Sequence, residues 1–210
     1  MSAMTTSVDF WIDPLSPWAW TSARWLEEVE TMRDIKVNWR VMCLGILHEN
    51  DETPPPAQFQ EWLKGTWLVA RAVEAARACS GDEAARALLF AIGRMSNVDR
   101  NRDLPAVIEA AVAECGLPAS VTEAATTTEF DAAVRASHDA GMELGGKDVG
   151  TPILGMPGPD GTSVGLFGPV VSPTPRGDAA GRLWDGIVLI AQTPGFYELK
   201  KERTAKVWCD

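Results

Sequence analysis

The stretch Val8–Trp25, VDFWIDPLSPWAWTSARW, constrains the fold more than any other part of the chain. It opens on a short apolar run, Val8 to Ile12, dense in β-branched and aromatic residues, which reads as a buried strand. Asp13-Pro14-Leu15 then turns the chain. Ser16 suits a helix N-cap and Pro17 the first helical position. Trp18, Trp20, Ala23, Trp25, Leu26 and Val29 follow at roughly helical spacing, to about Met32. A strand that feeds a helix this abruptly leaves the first turn's N–H groups at a sheet edge. There they and the positive end of the helix dipole favour an anion, a thiolate included.

Ile35–Leu44 alternates and then turns wholly apolar, as a second strand buried on both faces would. Strand, helix and strand at this spacing predict a βαβ unit with parallel strands. Gly45–Asn50 leads into the proline-rich Asp51–Pro56, the clearest boundary in the chain. Residues 57–146 are alanine-rich, with helical spacing over Gln58–Ala78, Asp82–Met95, Leu104–Cys115, Ser120–Ala125 and Thr128–Met142. The last two each start at a Ser or Thr with a Glu nearby, a capping pattern. Strand character returns at Val149–Leu154. Pro159-Asp160-Gly161-Thr162 predicts a turn joining antiparallel strands Ile153–Met156 and Ser163–Phe167. Arg176-Gly177-Asp178 opens a last amphipathic helix carrying Leu183, Trp184, Ile187, Val188 and Ile190. The expected organisation is thus a discontinuous sheet domain, 8–56 and 147–199, around a helical block, 57–146. Residues 1–7 are expected to be a frayed start and 200–210 a charged tail.

Formal net charge is −10, with no run of Lys or Arg, which argues against a nucleic-acid partner. No segment is long and apolar enough to span a membrane, and MSAMTTS lacks the features of a secretory signal, so a cytoplasmic protein is expected. Cys43, Cys79, Cys115 and Cys209 show neither CxxC nor metal-site spacing. Cys43 falls in an apolar strand and Cys115 near the end of an apolar helix, as inert buried thiols would, whereas Cys79 and Cys209 look exposed. His48 and His138 have no carboxylate cluster to join them, and no metal is expected.

Asp13-Pro14-Leu15-Ser16-Pro17-Trp18-Ala19-Trp20 resembles the active-site segment of the DsbA-like branch of the thioredoxin superfamily. Within that branch it resembles the actinobacterial mycothiol-dependent reductases, whose pattern there is D-P-L-C-P-W-C-W. The likeness extends through Arg33-Asp34-Ile35, Val41-Met42, Ser137–Met142, Asp148–Pro152, Phe167–Val170 and Phe196–Lys200. It implies an α/β thioredoxin fold with an inserted all-helical subdomain. Ser16 and Ala19 stand where those relatives carry two redox cysteines, so a CxxC dithiol cycle has no sulfur to run on.

The resemblance implies a different chemistry at the same place. In kappa-class glutathione transferases and 2-hydroxychromene-2-carboxylate isomerases, a serine replaces the first cysteine and hydrogen-bonds the sulfur of a bound thiol. Ser16 would play that part here, with Pro17, Trp18 and Ala19 around the cofactor, mycothiol or glutathione. Capping alone is the plainer reading of Ser16. Direct attack by its hydroxyl would need a base, for which His48 is the sole candidate. The resemblance also implies that Pro152 is a cis-proline, leaving the Thr151 backbone free to pair with a ligand. Arg176 and Asp178 could hold the cofactor's carboxylate and amine, or merely charge a helix end. Trp18 is expected to face a ligand, and Trp20, Phe59, Trp62 and Trp67 to line a pocket for an apolar substrate, though Trp62 and Trp67 equally suit a helix staple. The reductase relatives tend to carry Asn and Tyr where this chain has His48 and Phe59, which suggests a reshaped pocket. Three readings follow: an enzyme acting through a borrowed thiol, a non-catalytic binding module, or a reductase in which Ser16 and Ala19 were substituted for cysteines. A homodimer stays open.

Overall fold

In the computed structural model, which describes residues 5–210, four strands form one sheet in the order β2-β1-β3-β4. β1 (Thr6–Ile12) runs parallel to β2 (Ile35–Val41), with Val8 opposite Val37, Phe10 opposite Trp39 and Ile12 opposite Val41. β3 (Ile153–Pro157) pairs antiparallel to β1, with Phe10 opposite Leu154, and β4 (Ser163–Phe167) closes a hairpin on β3. The apolar run in β1 is the reason for its central place. Val8, Phe10, Trp11 and Ile12 are all buried, so both faces of the strand are covered, and the Phe10 ring meets the edge of Trp39 at 5.5 Å. The expected frayed start is corrected at Thr6 and Ser7, which belong to β1; residues 1–4 lie outside the described residues.

α1 (Pro17–Glu30) is the crossover between the parallel strands, and α8 (Gly177–Ala191) packs beside it. Trp25, wholly buried, donates its indole N–H to the Ala180 carbonyl at 3.1 Å and lies 6.2 Å from the Trp184 ring. Between β2 and β3 come α2 (Leu44–Leu47), α3 (Ala57–Ser80), α4 (Asp82–Asn97), α5 (Leu104–Glu114), α6 (Ser120–Ala124) and α7 (Asp131–Gly145). Their apolar faces merge with the sheet into one core, to which Val69, Leu88, Ile92, Ile108 and Val134 contribute.

Three local expectations need correction. The second strand ends at Val41, not Leu44, and Cys43 is therefore the residue preceding α2. The chain leaves the ladder there because the Leu44 and Gly45 amides turn to side-chain acceptors, Asp13 and Thr66. The helix starts at 120 and 131 carry no side-chain cap, being preceded by Ala119 and Phe130, whereas Asp103 does cap α5 through the Ala106 amide. Cys79 is exposed as expected, but Cys209 is half-buried. Among the described residues no helix is long and apolar enough to cross a membrane, and no group of metal-ligating side chains forms.

Candidate functional site

The first turn of α1 is built as the sequence pattern requires. Ser16 has extended backbone angles, φ −79° and ψ 116°, and its hydroxyl accepts a long bond, 3.4 Å, from the Ala19 amide. Pro17 brings no N–H to that turn. Ala19 is buried, Pro17 and Trp18 are half-buried, and Ser16 is 8% exposed.

The loop that presents Ser16 is held by Asp13, which sequence reasoning took only as a turn residue. Asp13 is 1% exposed, yet its side chain is fully used. One carboxylate oxygen accepts the Leu15 amide at 3.0 Å and the other the Leu44 amide at 2.9 Å. Its own amide donates to the Thr151 hydroxyl at 3.0 Å, and its carbonyl accepts from Ser16 N–H at 3.0 Å. One residue therefore ties together the Ser16 turn, the start of α2 and the loop before β3. Burial lifts the Asp13 carboxyl to about 7, against the two N–H bonds that pull it back. The available signal was an aspartate at a strand end whose oxygen could reach the amide two residues on.

The Thr151–Pro152 bond is cis, as the resemblance implied, and so are Gly168–Pro169 and Ser172–Pro173. Pro169 and Val171 accept at their carbonyls from Ser22 and Thr21 of α1, at 2.5 Å and 2.6 Å, so this second proline-containing loop is fastened along the same helix.

His48 lies elsewhere. It follows α2, its Nδ1 pairs with Asp51 at 2.8 Å, and its ring meets the edge of Phe59 at 5.5 Å. Among the described residues it makes no hydrogen bond to Ser16, so the base needed for a serine nucleophile is not in place. Phe59 in turn stacks on Trp62, with ring centres 5.3 Å apart and planes 14° apart. His48, Gln60, Leu63, Lys64 and Trp67 line a groove of about 290 Å³ beside this aromatic ladder. Trp67 is flanked by the guanidinium groups of Arg71 and Arg135, each 5.1 Å from its ring, and presses on Gly45. It thus staples α3 to α2 while showing one edge to the groove.

Two expectations fail on geometry. Trp20 does not line a pocket: it is 2% exposed, 5.8 Å from Phe90, and packed so tightly on Gly93 that a Cβ there would lie 2.5 Å from the ring. Asp178 does not join the Ser16 turn, since it sits where its charge acts on Arg33, just past the other end of α1. Arg176 lies 3.5 Å from Glu28 and 3.7 Å from the Asp210 carboxylate, and Trp18 has the Arg203 guanidinium 4.9 Å from its ring. The sequence pattern did not foresee either contact with the tail.

The buried thiol is inert. Cys43 makes an S···O contact of 3.3 Å with Thr66, and burial together with the Asp13 charge pushes it up to about 11. The nearby His138 accepts the Cys43 amide at Nδ1, 3.4 Å, and desolvation holds it below the usual histidine range.

With this geometry in hand, the chain can be set beside known proteins. It is 31% identical over 203 residues to the uncharacterized protein Rv2286c of Mycobacterium tuberculosis, covering 95% of this chain and 83% of that one. Its backbone matches the crystal structure of a DsbA oxidoreductase of Streptomyces coelicolor with a TM-score of 0.59 at 18% identity, covering 95% and 94% of the two chains. It matches the cytosolic disulfide reductase DsbM of Pseudomonas aeruginosa, solved with GSH, with a TM-score of 0.54 at 20% identity, covering 86% and 98%. These likenesses establish a DsbA-like thioredoxin fold with its helical insertion. The profile of one family, described as mycothiol-dependent nitroreductase Rv2466c, matches residues 15–201, from the Ser16 turn to the end of the tail's first part. The chain belongs to the Rv2466c-like family, described as mycothiol-dependent nitroreductase, and the first turn of its α1 carries serine and alanine at positions 16 and 19.

Proposed function

We propose that this protein binds a low-molecular-weight thiol, mycothiol or glutathione, with the sulfur at Ser16, and uses it to transfer to, isomerise or reduce a small apolar substrate. The observation that carries the reading is the Ser16 hydroxyl on the N-cap of α1, in a turn pinned to Thr151 through the Asp13 amide. The family's description as mycothiol-dependent and the GSH-bound DsbM structure support a thiol as the ligand.

The bound thiol would supply the nucleophilic sulfur that positions 16 and 19 lack. The chain's own part is to make that sulfur a thiolate and to hold it. A hydroxyl donor at Ser16 and the positive end of a 14-residue helix both favour the anion. The backbone of Thr151, next to the cis-proline, would pair with the peptide-like part of the ligand, and Arg176 would receive a carboxylate where the ligand has one. Trp67 in the groove, with the stacked Phe59 and Trp62 beside it, would take the apolar acceptor.

Calorimetric titration with mycothiol and with glutathione, on the parent chain and on Ser16→Ala, tests this. Saturable binding of one thiol, weakened in the variant and more so at the higher pH where the thiolate is populated, is the expected result. Binding of neither would overturn the borrowed-thiol reading and leave a non-catalytic binding surface with Ser16 as a helix cap.

A further inference from the structure

The chain after α8, from Gln192 to Asp210, forms neither helix nor strand, yet its last part is folded back on the first turn of α1. The Arg203 guanidinium covers the Trp18 ring at 4.9 Å. The Trp208 amide donates to the Ser172 hydroxyl at 2.8 Å, and the Cys209 thiol donates to the Pro17 carbonyl at 3.7 Å. The Asp210 carboxylate accepts from the Thr174 hydroxyl at 3.1 Å and lies 3.7 Å from Arg176. The Trp208 indole itself stays 65% exposed, so the backbone, the thiol and the charged groups hold the segment down. The family match ends at residue 201, before every one of these contacts.

We propose that residues 203–210 are an internal strap that closes the Ser16 site and competes with the thiol ligand for it, an inference that rests on the thiol-binding reading above. The chemistry of the segment matches what it would exclude. Cys209 and Asp210 present a thiol to the first turn of α1 and a carboxylate to Arg176, the pair of groups that a cysteinyl thiol such as glutathione would bring. With the strap down, the Arg203 guanidinium lies over Trp18 and the Cys209 thiol rests on the Pro17 carbonyl, the two residues that follow Ser16, so a ligand seated on that turn has to displace the segment.

The contacts are of a kind that lets it lift. Arg176 and Asp210 are both substantially exposed, and such pairs contribute little in water. Burial and the Asp210 charge raise the Cys209 thiol, with Arg100 and Arg102 opposing, so near neutral pH it stays a protonated donor and not a reactive thiolate. Closed and open forms therefore lie close in free energy. A strap closed in about nine molecules of ten weakens an incoming ligand about tenfold.

The test uses the parent chain and its Arg203→Ala/Ser172→Ala double variant, which removes two of the strap's contacts and leaves the Asp210 charge beside Cys209 in place. Iodoacetamide labelling at pH 8, resolved by peptide mass spectrometry, reports the strap without any ligand. Titrations with glutathione and with mycothiol report the competition. The expected result is several-fold faster alkylation of Cys209 in the variant, with Cys79 unchanged, and at least fivefold tighter binding of whichever thiol binds. An unchanged Cys209 rate overturns the strap. Faster alkylation with unchanged affinity for a thiol that does bind overturns its role as competitor and leaves the thiol reading intact. Binding of neither thiol to either protein overturns the thiol reading, and the competition with it.

Discussion

The amide of Asp13 donates to the hydroxyl of Thr151 across 3.0 Å, joining two loops 138 residues apart in sequence. Because Asp13 is buried, its N–H has no water to turn to if that hydroxyl is removed. Thr151→Val keeps the shape and deletes the acceptor. It should cost about 1–3 kcal/mol in urea unfolding, and the loss should also weaken thiol binding, since the loop it frees carries Pro152.

Asp13 further predicts a pH dependence of defined sign. Its folded pKa, about 7, lies above its unfolded value near 3.8, so the fold favours the protonated acid. The stability this contributes is full below about pH 4 and is lost as pH rises through 7. Asn at this position cannot ionise. Denaturant midpoints at pH 5 and pH 8 should therefore show Asp13→Asn clearly less stable than the parent at pH 5 and closer to it at pH 8. A gap that widens with pH would refute the raised pKa.

Ser16 can be divided into its two roles by Ser16→Asp. Aspartate caps a helix about as well as serine and suits the positive end of the dipole, so unfolding should change by less than about 1 kcal/mol. A carboxylate placed where a thiolate must sit should abolish binding of mycothiol and glutathione in the same titration. Retained binding would mean that the sulfur does not lie at this residue.

The tryptophans should separate sharply. Trp20→Ala opens a cavity among Phe90 and Gly93 and should cost about 3–5 kcal/mol. Trp62→Ala removes a half-buried ring that stacks on the exposed Phe59 at the margin of the core, and should cost well under half of that while reducing affinity for a planar apolar ligand. Thermal unfolding of the two variants side by side checks the contrast.

Gly45 gives a steric test of the junction between α2 and α3. A Cβ there would lie 2.6 Å from the Trp67 ring and 2.9 Å from the Leu63 carbonyl oxygen. Gly45→Ala should therefore destabilise by about 1–3 kcal/mol, and Trp67→Leu in the same chain should recover part of the loss. Additive effects would show that the two positions do not touch.

Much of this architecture could be read from residue order, for reasons that also explain the misses. The β1–α1 passage was legible because a short apolar run, rich in β-branched and aromatic residues, gives way to helical spacing across a Ser-Pro start. Trp20 was misplaced against that same rule. Residues two positions apart on a helix lie about 200° apart around its axis, so a Trp18 that faces outward sends Trp20 into the core. Asp13 was underrated because its partners, Leu44 and Thr151, belong to segments far along the chain, and local pattern carries no trace of them. Asp178 was assigned by its neighbour Arg176, whereas a helix start sends adjacent side chains in different directions. The docked tail has no periodicity, and only the folded surface of α1 gives Arg203 and Cys209 a place to rest.

The Asp13 junction also dictates when the site can come into being. Helices α3 to α6 pack chiefly on one another and can come together while the chain is still being synthesised. The Ser16 turn emerges before its distant anchors, which arrive at Leu44 and then only at Thr151, after the whole helical block. Closing so large a loop is slow, and until it closes the Asp13 amide lacks its Thr151 acceptor. On the ribosome the Ser16 turn thus waits through the synthesis of the whole helical block, and it sets only once Thr151 has followed.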